Sequence, residues 1–155
     1  MKDYFLKSAF LLGQESKCVS KKVGAIIAHD RRIISTGYNG TPPKFENCCD
    51  HFDPNNFDRE EHHAWSKLYE VHAEMNAILF AAKHGIATEG SEMYTILQPC
   101  DDCLKNITAA GIKKIYYVYP YEFSTVDNKL WHRIEHEQVT DPELLAWLLR
   151  ELETY

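Results

Sequence analysis

His72-Ala73-Glu74 and, downstream, Pro99-Cys100-Asp101-Asp102-Cys103 constrain this chain more than any other feature, because the two segments act together only if the fold brings them to one point. They offer an imidazole and two thiols, the ligand types zinc prefers, and leave one carboxylate over. A structural zinc is normally closed by four protein ligands, whereas a catalytic zinc keeps three and leaves a position for water. Zinc-bound water ionises near neutrality, and a carboxylate two residues after the histidine can carry its protons without binding the metal. The two motifs therefore read as a hydroxide generator with a proton carrier. Alone, Cys-x-x-Cys would equally fit a redox pair, a structural half-site or two buried thiols. The competing reading of the pair is a closed structural zinc with Cys48 or Cys49 as fourth ligand. Glu74 would then have no task, and a buried carboxylate without a partner is costly.

Both segments read as helix starts. Pro99 stops a preceding strand and fixes the start of a helix through residues 104–110, so that both sulfurs fall on one side. His72 opens a second helix in which Ala73, Ala77, Ile78, Ala81 and Ala82 form a small apolar run suited to burial against a sheet, with His72 and Glu74 at its buried N-terminal end. Helix N-termini favour negative charge, which suits thiolates, hydroxide and a carboxylate gathered there. Strands at 93–97 and 114–119 alternate with these helices, which implies parallel neighbours joined by a crossover helix.

Upstream, residues 4–14 read as a helix covering the sheet through Phe5, Ala9 and Leu12, and strands at 23–28 and 32–37 flank His29-Asp30-Arg31 as a hairpin. A turn-rich loop follows at 38–43. Residues 48–63 are polar, aromatic and without clear period, and read as a long functional loop. Asp141-Pro142-Glu143 is a helix start, and the leucines that follow serve either core packing or a subunit contact.

The 155 residues fit one α/β domain, 1–155, large enough to bury about two-thirds of its unfolded surface without disulfide staples. A net charge of −6 argues against a general binder of polyanions. Five cysteines, in a chain without a signal segment or an apolar run approaching about 18 residues, read as metal ligands or free thiols and imply a cytoplasmic protein.

The His-x-Glu and Pro-Cys-x-x-Cys pair is the signature of zinc-dependent nucleobase deaminases. With Ser16-Lys17-Cys18, Val23-Gly24-Ala25, Gly37-Tyr38-Asn39-Gly40, Asn47-Cys48-Cys49-Asp50 and Gly111-Ile112-Lys113-Lys114 added, the chain resembles the deoxycytidylate (dCMP) deaminases, particularly the bacteriophage type, over residues 16–121. The metal motif alone would fit cytidine, adenosine or guanine deaminases; the Gly-Tyr-Asn-Gly and Cys-Cys loops narrow the choice.

This resemblance implies a three-layer α/β/α cytidine deaminase-like fold with a central mixed sheet, and hydrolysis of dCMP to dUMP and ammonia that supplies thymidylate synthesis. It implies zinc on His72, Cys100 and Cys103, with Glu74 passing protons to cytosine N3 and then to the departing amine. It further implies Asn39 on the deoxyribose, Tyr121 at the pocket mouth, and a second, structural zinc on Cys18, Cys48, His62 and Glu70, with Cys49 and His63 as adjacent alternatives. A homohexamer activated by dCTP and inhibited by dTTP, with Mg2+ accompanying the nucleotide effector, belongs to the same family pattern; Phe80 and Lys83 are candidate effector or interface positions. The plainer readings are turn chemistry for Asn39, half-buried packing for Tyr121, buried thiols for Cys18 and Cys48, a solvated His62, a core Phe80 and an exposed Lys83.

An acidic protein that binds an anionic monophosphate needs a local positive patch, for which Lys21, Lys22, Arg31, Arg32 and Lys44 are candidates. Against the nucleotide reading stand a deaminase of another base or of a polynucleotide, which the acidic balance and the lack of a basic aromatic stripe disfavour, and a zinc-stabilised binding module with no chemistry.

Overall fold

Asp30 and Arg31 form a two-residue turn with φ of 50° and 62°, the doubly left-handed geometry whose twist matches that of paired strands. It joins β1 (Gly24–His29) to β2 (Arg32–Tyr38) as the expected hairpin. The other edge of β1 pairs antiparallel with β3 (Glu92–Leu97), which runs parallel to β4 (Lys114–Tyr119), itself parallel to β5 (Glu135–Gln138). The sheet order is β2-β1-β3-β4-β5. This computed structural model describes residues 1–154, so the last residue of the expected 1–155 domain lies outside it.

Among the described residues there are six helices, α1 (Lys2–Gly13), α2 (Cys48–His51), α3 (Arg59–Tyr69), α4 (Ala73–Lys83), α5 (Asp101–Ala109) and α6 (Pro142–Thr154), with a short 3-10 turn at Lys129–His132. Side chains alternate along β1, so one strand serves two cores. Ile26 and Ala28 pack with Phe5, Ala9, Leu144 and Leu148 of α1 and α6, while Ala25 and Ile27 pack with Ala77, Leu104 and Ile107 of α4 and α5. The result is the three-layer α/β/α arrangement with a mixed sheet.

The alanine face of α4 lets it lie unusually close to the sheet. Any Cβ at Gly37 of β2 would collide with the backbone of Ala73 and Ala77, and Ser35 Oγ donates a 2.6 Å hydrogen bond to the Ala77 carbonyl. Larger side chains at these positions would hold the N-terminus of α4 away from the strand ends.

Three expectations need correction. Residues 48–63 are not one loop: α2 occupies Cys48–His51 and α3 begins at Arg59, with the Asp58 carboxylate accepting from the Glu61 N–H as an N-cap. β5 and the 3-10 turn stand where no element was expected. The C-terminal helix buries Leu144 and Leu148 but leaves Leu149 and Leu152 more than half exposed, so its leucines serve core packing on one face only. Among the described residues no helix is long and apolar enough to cross a membrane.

Candidate active site

Because β3 and β4 are parallel, α5 starts beyond the C-terminal end of β3, beside the start of α4. Cys100 is the N-cap of α5 and His72 the N-cap of α4, both with extended backbones. The two helix starts converge: His72 Nδ1 lies 3.5 Å from Cys100 Sγ and 3.4 Å from Cys103 Sγ. Tetrahedral zinc with ordinary Zn–N and Zn–S bonds sets nitrogen and sulfur about 3.6 Å apart, so these donors fit the ion in chemistry and in spacing. No fourth histidine, cysteine or carboxylate joins this cluster among the described residues.

Glu74, in the first turn of α4, is 5% exposed. Burial pushes its carboxyl upward from the usual range, and the Cys103 thiol is its side-chain hydrogen-bond partner. The expected buried end of the helix thus holds for the carboxylate but not for His72, whose imidazole is at the surface of the cleft. Hydrogen bonding from Cys103, then from His72, holds the Cys100 thiol down to about 4; the Cys103 thiol, which shares its proton with Cys100 and is buried, moves upward. The pair is arranged to present a thiolate, the form that ligates metal.

A second cluster lies nearby. Cys18 Sγ is 3.5 Å from His62 Nε2 and 3.5 Å from Glu70 Oε1, and His62 Nε2 is 3.4 Å from Glu70 Oε1. Cys48 Sγ completes the group within 4.8 Å and accepts from the Val19 N–H. All four side chains are buried, and Glu70 Oε2 has no hydrogen-bond partner. Burial raises the Cys18 thiol and pushes the Cys48 thiol up to about 12. Cys49 is exposed and His63 stacks on Phe123, both outside the cluster. Cys48 is thereby separated from the His72 cluster to which it was an alternative fourth ligand.

Between the clusters runs a cavity of about 90 Å3 that reaches Glu74, Cys18, Asn39, Gln98 and Tyr121. Asn39 uses its amide largely within the protein: Oδ1 accepts from the Val23 N–H and Nδ2 donates to the Lys21 carbonyl, both at 2.9 Å. One amide hydrogen and one lone pair remain for a ligand. Tyr121 is partly buried, its N–H donates to Gln98 Oε1, and burial pushes its phenol up to about 12. It therefore stays a hydroxyl at the cavity wall.

Phe80 is 48% exposed and packs on His84, so it is no core residue; Lys83 is exposed at the end of the same helix. Sequence reasoning missed Gln98 and Asp101. The Asp101 carboxylate accepts from the Thr125 N–H, the Thr125 hydroxyl and the Asn128 amide, tying the 121–128 segment to the start of α5. Inside Cys-x-x-Cys it read as a spacer, and only the fold brings Thr125 and Asn128 to it.

Residues 1–119 match the cytidine and deoxycytidylate deaminase zinc-binding region. The deoxycytidylate deaminase of Enterobacteria phage T4 is 41% identical over 148 residues, with 76% of this chain and 77% of the relative covered. ComE operon protein 2 of Bacillus subtilis is 36% identical, covering 92% of this chain and 73% of its own. Among solved structures, the dCMP deaminase of cyanophage S-TIM5 in complex with dCMP and dUMP superposes with a TM-score of 0.74 at 34% identity, over 89% of this chain and 96% of that one. With the ligand-bearing helix starts, the mixed sheet and the matched region in agreement, the chain belongs to the cytidine and deoxycytidylate deaminase family.

Proposed function

We propose that this protein hydrolyses dCMP to dUMP and ammonia. The observation that carries the reading is the three-donor cluster with buried Glu74 beside it and no fourth protein ligand within reach among the described residues. A closed binding module would need that ligand. The choice of dCMP over other bases is supported by the T4 relative and by the cyanophage structure, which holds dCMP and dUMP.

Zinc held by His72, Cys100 and Cys103 would supply a Lewis acid and a water ionised near neutral pH. Glu74 takes a proton from the attacking water and gives it to cytosine N3 as C4 is attacked, then takes the proton of the new C4 hydroxyl and passes it to the departing amine as the C4 carbonyl forms. Its burial keeps bulk water from competing for those protons. Asn39 offers its remaining amide hydrogen to the sugar, and Tyr121 packs at the mouth against the nucleotide.

The second cluster is read as a structural zinc on Cys18, Cys48, His62 and Glu70. Its support is the mutual 3.4–3.5 Å spacing and the orphaned Glu70 Oε2, since a buried carboxylate oxygen without a partner calls for a cation. A single domain over residues 1–155, regulation by dCTP and dTTP with Mg2+, a homohexamer, a role in thymidylate supply and a cytoplasmic location belong to the same reading and rest on the family resemblance. The exposed Phe80 and Lys83 offer α4 as the surface for an effector or a neighbouring subunit.

Ammonia release by the zinc-loaded protein, offered dCMP, dCTP, deoxycytidine and single-stranded DNA separately, with and without added dCTP or dTTP, tests this reading. Turnover confined to dCMP is expected. Absence of turnover on dCMP with zinc bound overturns it.

A further inference from the structure

Among the described residues, Lys21 is the only lysine or arginine lining the cavity that reaches Glu74. It also lines an adjoining groove, and Ser20, His62 and Ser66 are shared between the two. Its position is set from both ends. The Lys21 carbonyl accepts from Asn39 Nδ2, while the Asn39 carbonyl accepts from Ser16 Oγ at 2.7 Å, so the main chain at residue 21 is tied to the end of β2. The side chain turns toward the Tyr121 ring, with Nζ 4.3 Å from its centroid. Lysine and tyrosine, both lining the cavity, thus meet.

We propose that Lys21 recognises the 5′-phosphate and makes the site select a nucleoside monophosphate over the nucleoside; this rests on the nucleotide deaminase reading above. The reacting carbon of the base must lie beside Glu74 and the His72 cluster, which line the same cavity as Lys21. The cavity holds about 90 Å3, well below the roughly 300–1,000 Å3 of pockets that enclose a whole drug-sized ligand, so the phosphate end of the nucleotide projects to the mouth. There it meets the Lys21 ammonium, a compact point charge suited to phosphate, with the Ser20 hydroxyl beside it.

The surroundings limit what else fits. Beyond Lys21 the groove carries Glu60 and Glu122. The guanidinium of Arg59, which also lines the groove, lies over the Phe57 ring. Two carboxylates past the first phosphate repel a longer polyphosphate chain, so the site suits a single phosphoryl group. The other candidate cations lie elsewhere: Arg31 lines a cavity with Met1, Lys2 and Glu92 at the hairpin end of the sheet, Arg32 follows it as the first residue of β2, and Lys44 lines a separate groove with Pro42, Pro43 and Tyr69. Lys22 lines neither the cavity nor its groove.

The test compares zinc-loaded wild type with Lys21→Gln, Lys21→Arg and Lys22→Gln, measuring calorimetric binding of dUMP and deoxyuridine, zinc content, and ammonia release from dCMP. Lys21→Gln is expected to weaken dUMP by about 10- to 100-fold, the scale of one lost charge-assisted hydrogen bond, and to leave deoxyuridine affinity and zinc content as in wild type. Lys21→Arg regains most of the loss, and Lys22→Gln matches wild type. Equal weakening of dUMP and deoxyuridine makes Lys21 a wall residue and overturns the proposal, as does dUMP affinity unchanged in Lys21→Gln. If wild type deaminates dCMP while Lys21→Gln binds dUMP normally, the phosphate assignment falls and the deaminase reading stands. If wild type binds dUMP through Lys21 but releases no ammonia from dCMP, the phosphate site stands and the deaminase reading falls. A wild type that binds no dUMP overturns the phosphate assignment whatever its turnover.

Discussion

Glu70 closes α3 and His72 opens α4, with Val71 alone between them, so one residue separates a donor of the second cluster from a donor of the first. Val71 is pinned by a two-way backbone bridge to Gly40, its N–H donating at 2.8 Å and its carbonyl accepting at 3.1 Å. The position of the His72 imidazole therefore depends on the same short strap that the Glu70 cluster anchors. Cys18→Ser and Glu70→Gln are expected to bind one zinc fewer per chain and to melt lower by more than the roughly 2–4 °C that 1 kcal/mol is worth at this chain length. They should also lower kcat while the His72 cluster keeps its metal. Metal analysis with calorimetry checks this; an unchanged zinc content removes the second site.

Glu74→Gln preserves side-chain volume and removes the proton carrier. Zinc content should stay at the wild-type value while ammonia release from dCMP falls by at least about 10²–10⁴-fold, the range for losing a positioned general acid–base. A near-normal single-turnover rate in a zinc-loaded variant would assign the proton transfers to another group.

The His72 cluster was legible because its signals are local: a thiol at a helix N-cap, a second thiol three residues on, and a histidine capping an alanine-rich helix. The parallel β3–β4 pair followed from the same alternation. α3 escaped notice although Asp58 and Glu61 spell its cap, because its buried side is His62 beside metal-type donors, and a search for aliphatic period finds nothing there. β5 escaped for a related reason: Glu135-His136-Glu137-Gln138 is polar, and what defines it is backbone pairing with β4 at the sheet edge. Asn39 was assigned to the sugar, yet most of its amide holds residues 21 and 23 in place, a use that depends on strand β2 ending opposite that segment.

Asp101 is expected to act on substrate binding through the segment it holds. Three hydrogen bonds from Thr125 and Asn128 hold its carboxyl below the usual range, and this segment carries Tyr121 and Phe123 at the cavity mouth. Asp101→Asn keeps the shape but places an amide hydrogen against donors. KM for dCMP should rise several-fold with kcat within about twofold and zinc content unchanged, since truncating a positioning contact removes binding common to ground and transition states. Equal loss in kcat and kcat/KM would place Asp101 in the chemistry instead.

A last prediction concerns the far side of the sheet, where Asp3 in the first turn of α1 faces Asp141 just before α6. Burial first, and then the Asp141 carboxylate, raise the Asp3 carboxyl above its ordinary 3.8. Below 3.8 both the folded and the unfolded chain hold the proton, and the contact costs nothing. Above the raised folded value Asp3 is ionised against a like charge, so the fold loses stability there that it had at lower pH. Asp3→Asn should therefore stabilise the fold at pH 7 by up to about 1 kcal/mol, the scale of partly exposed charge pairs, seen as a higher melting temperature, and the gain should fade as the pH falls toward 3.8. Two effects oppose it: an acid in the first turn of a helix is favoured by the dipole, and Lys7 pulls the Asp3 carboxyl downward. Lys7 ranks below burial and Asp141 at this position, and the sign at pH 7 decides the matter; a lower melting temperature for the variant at pH 7 would show that the dipole and Lys7 outweigh the repulsion.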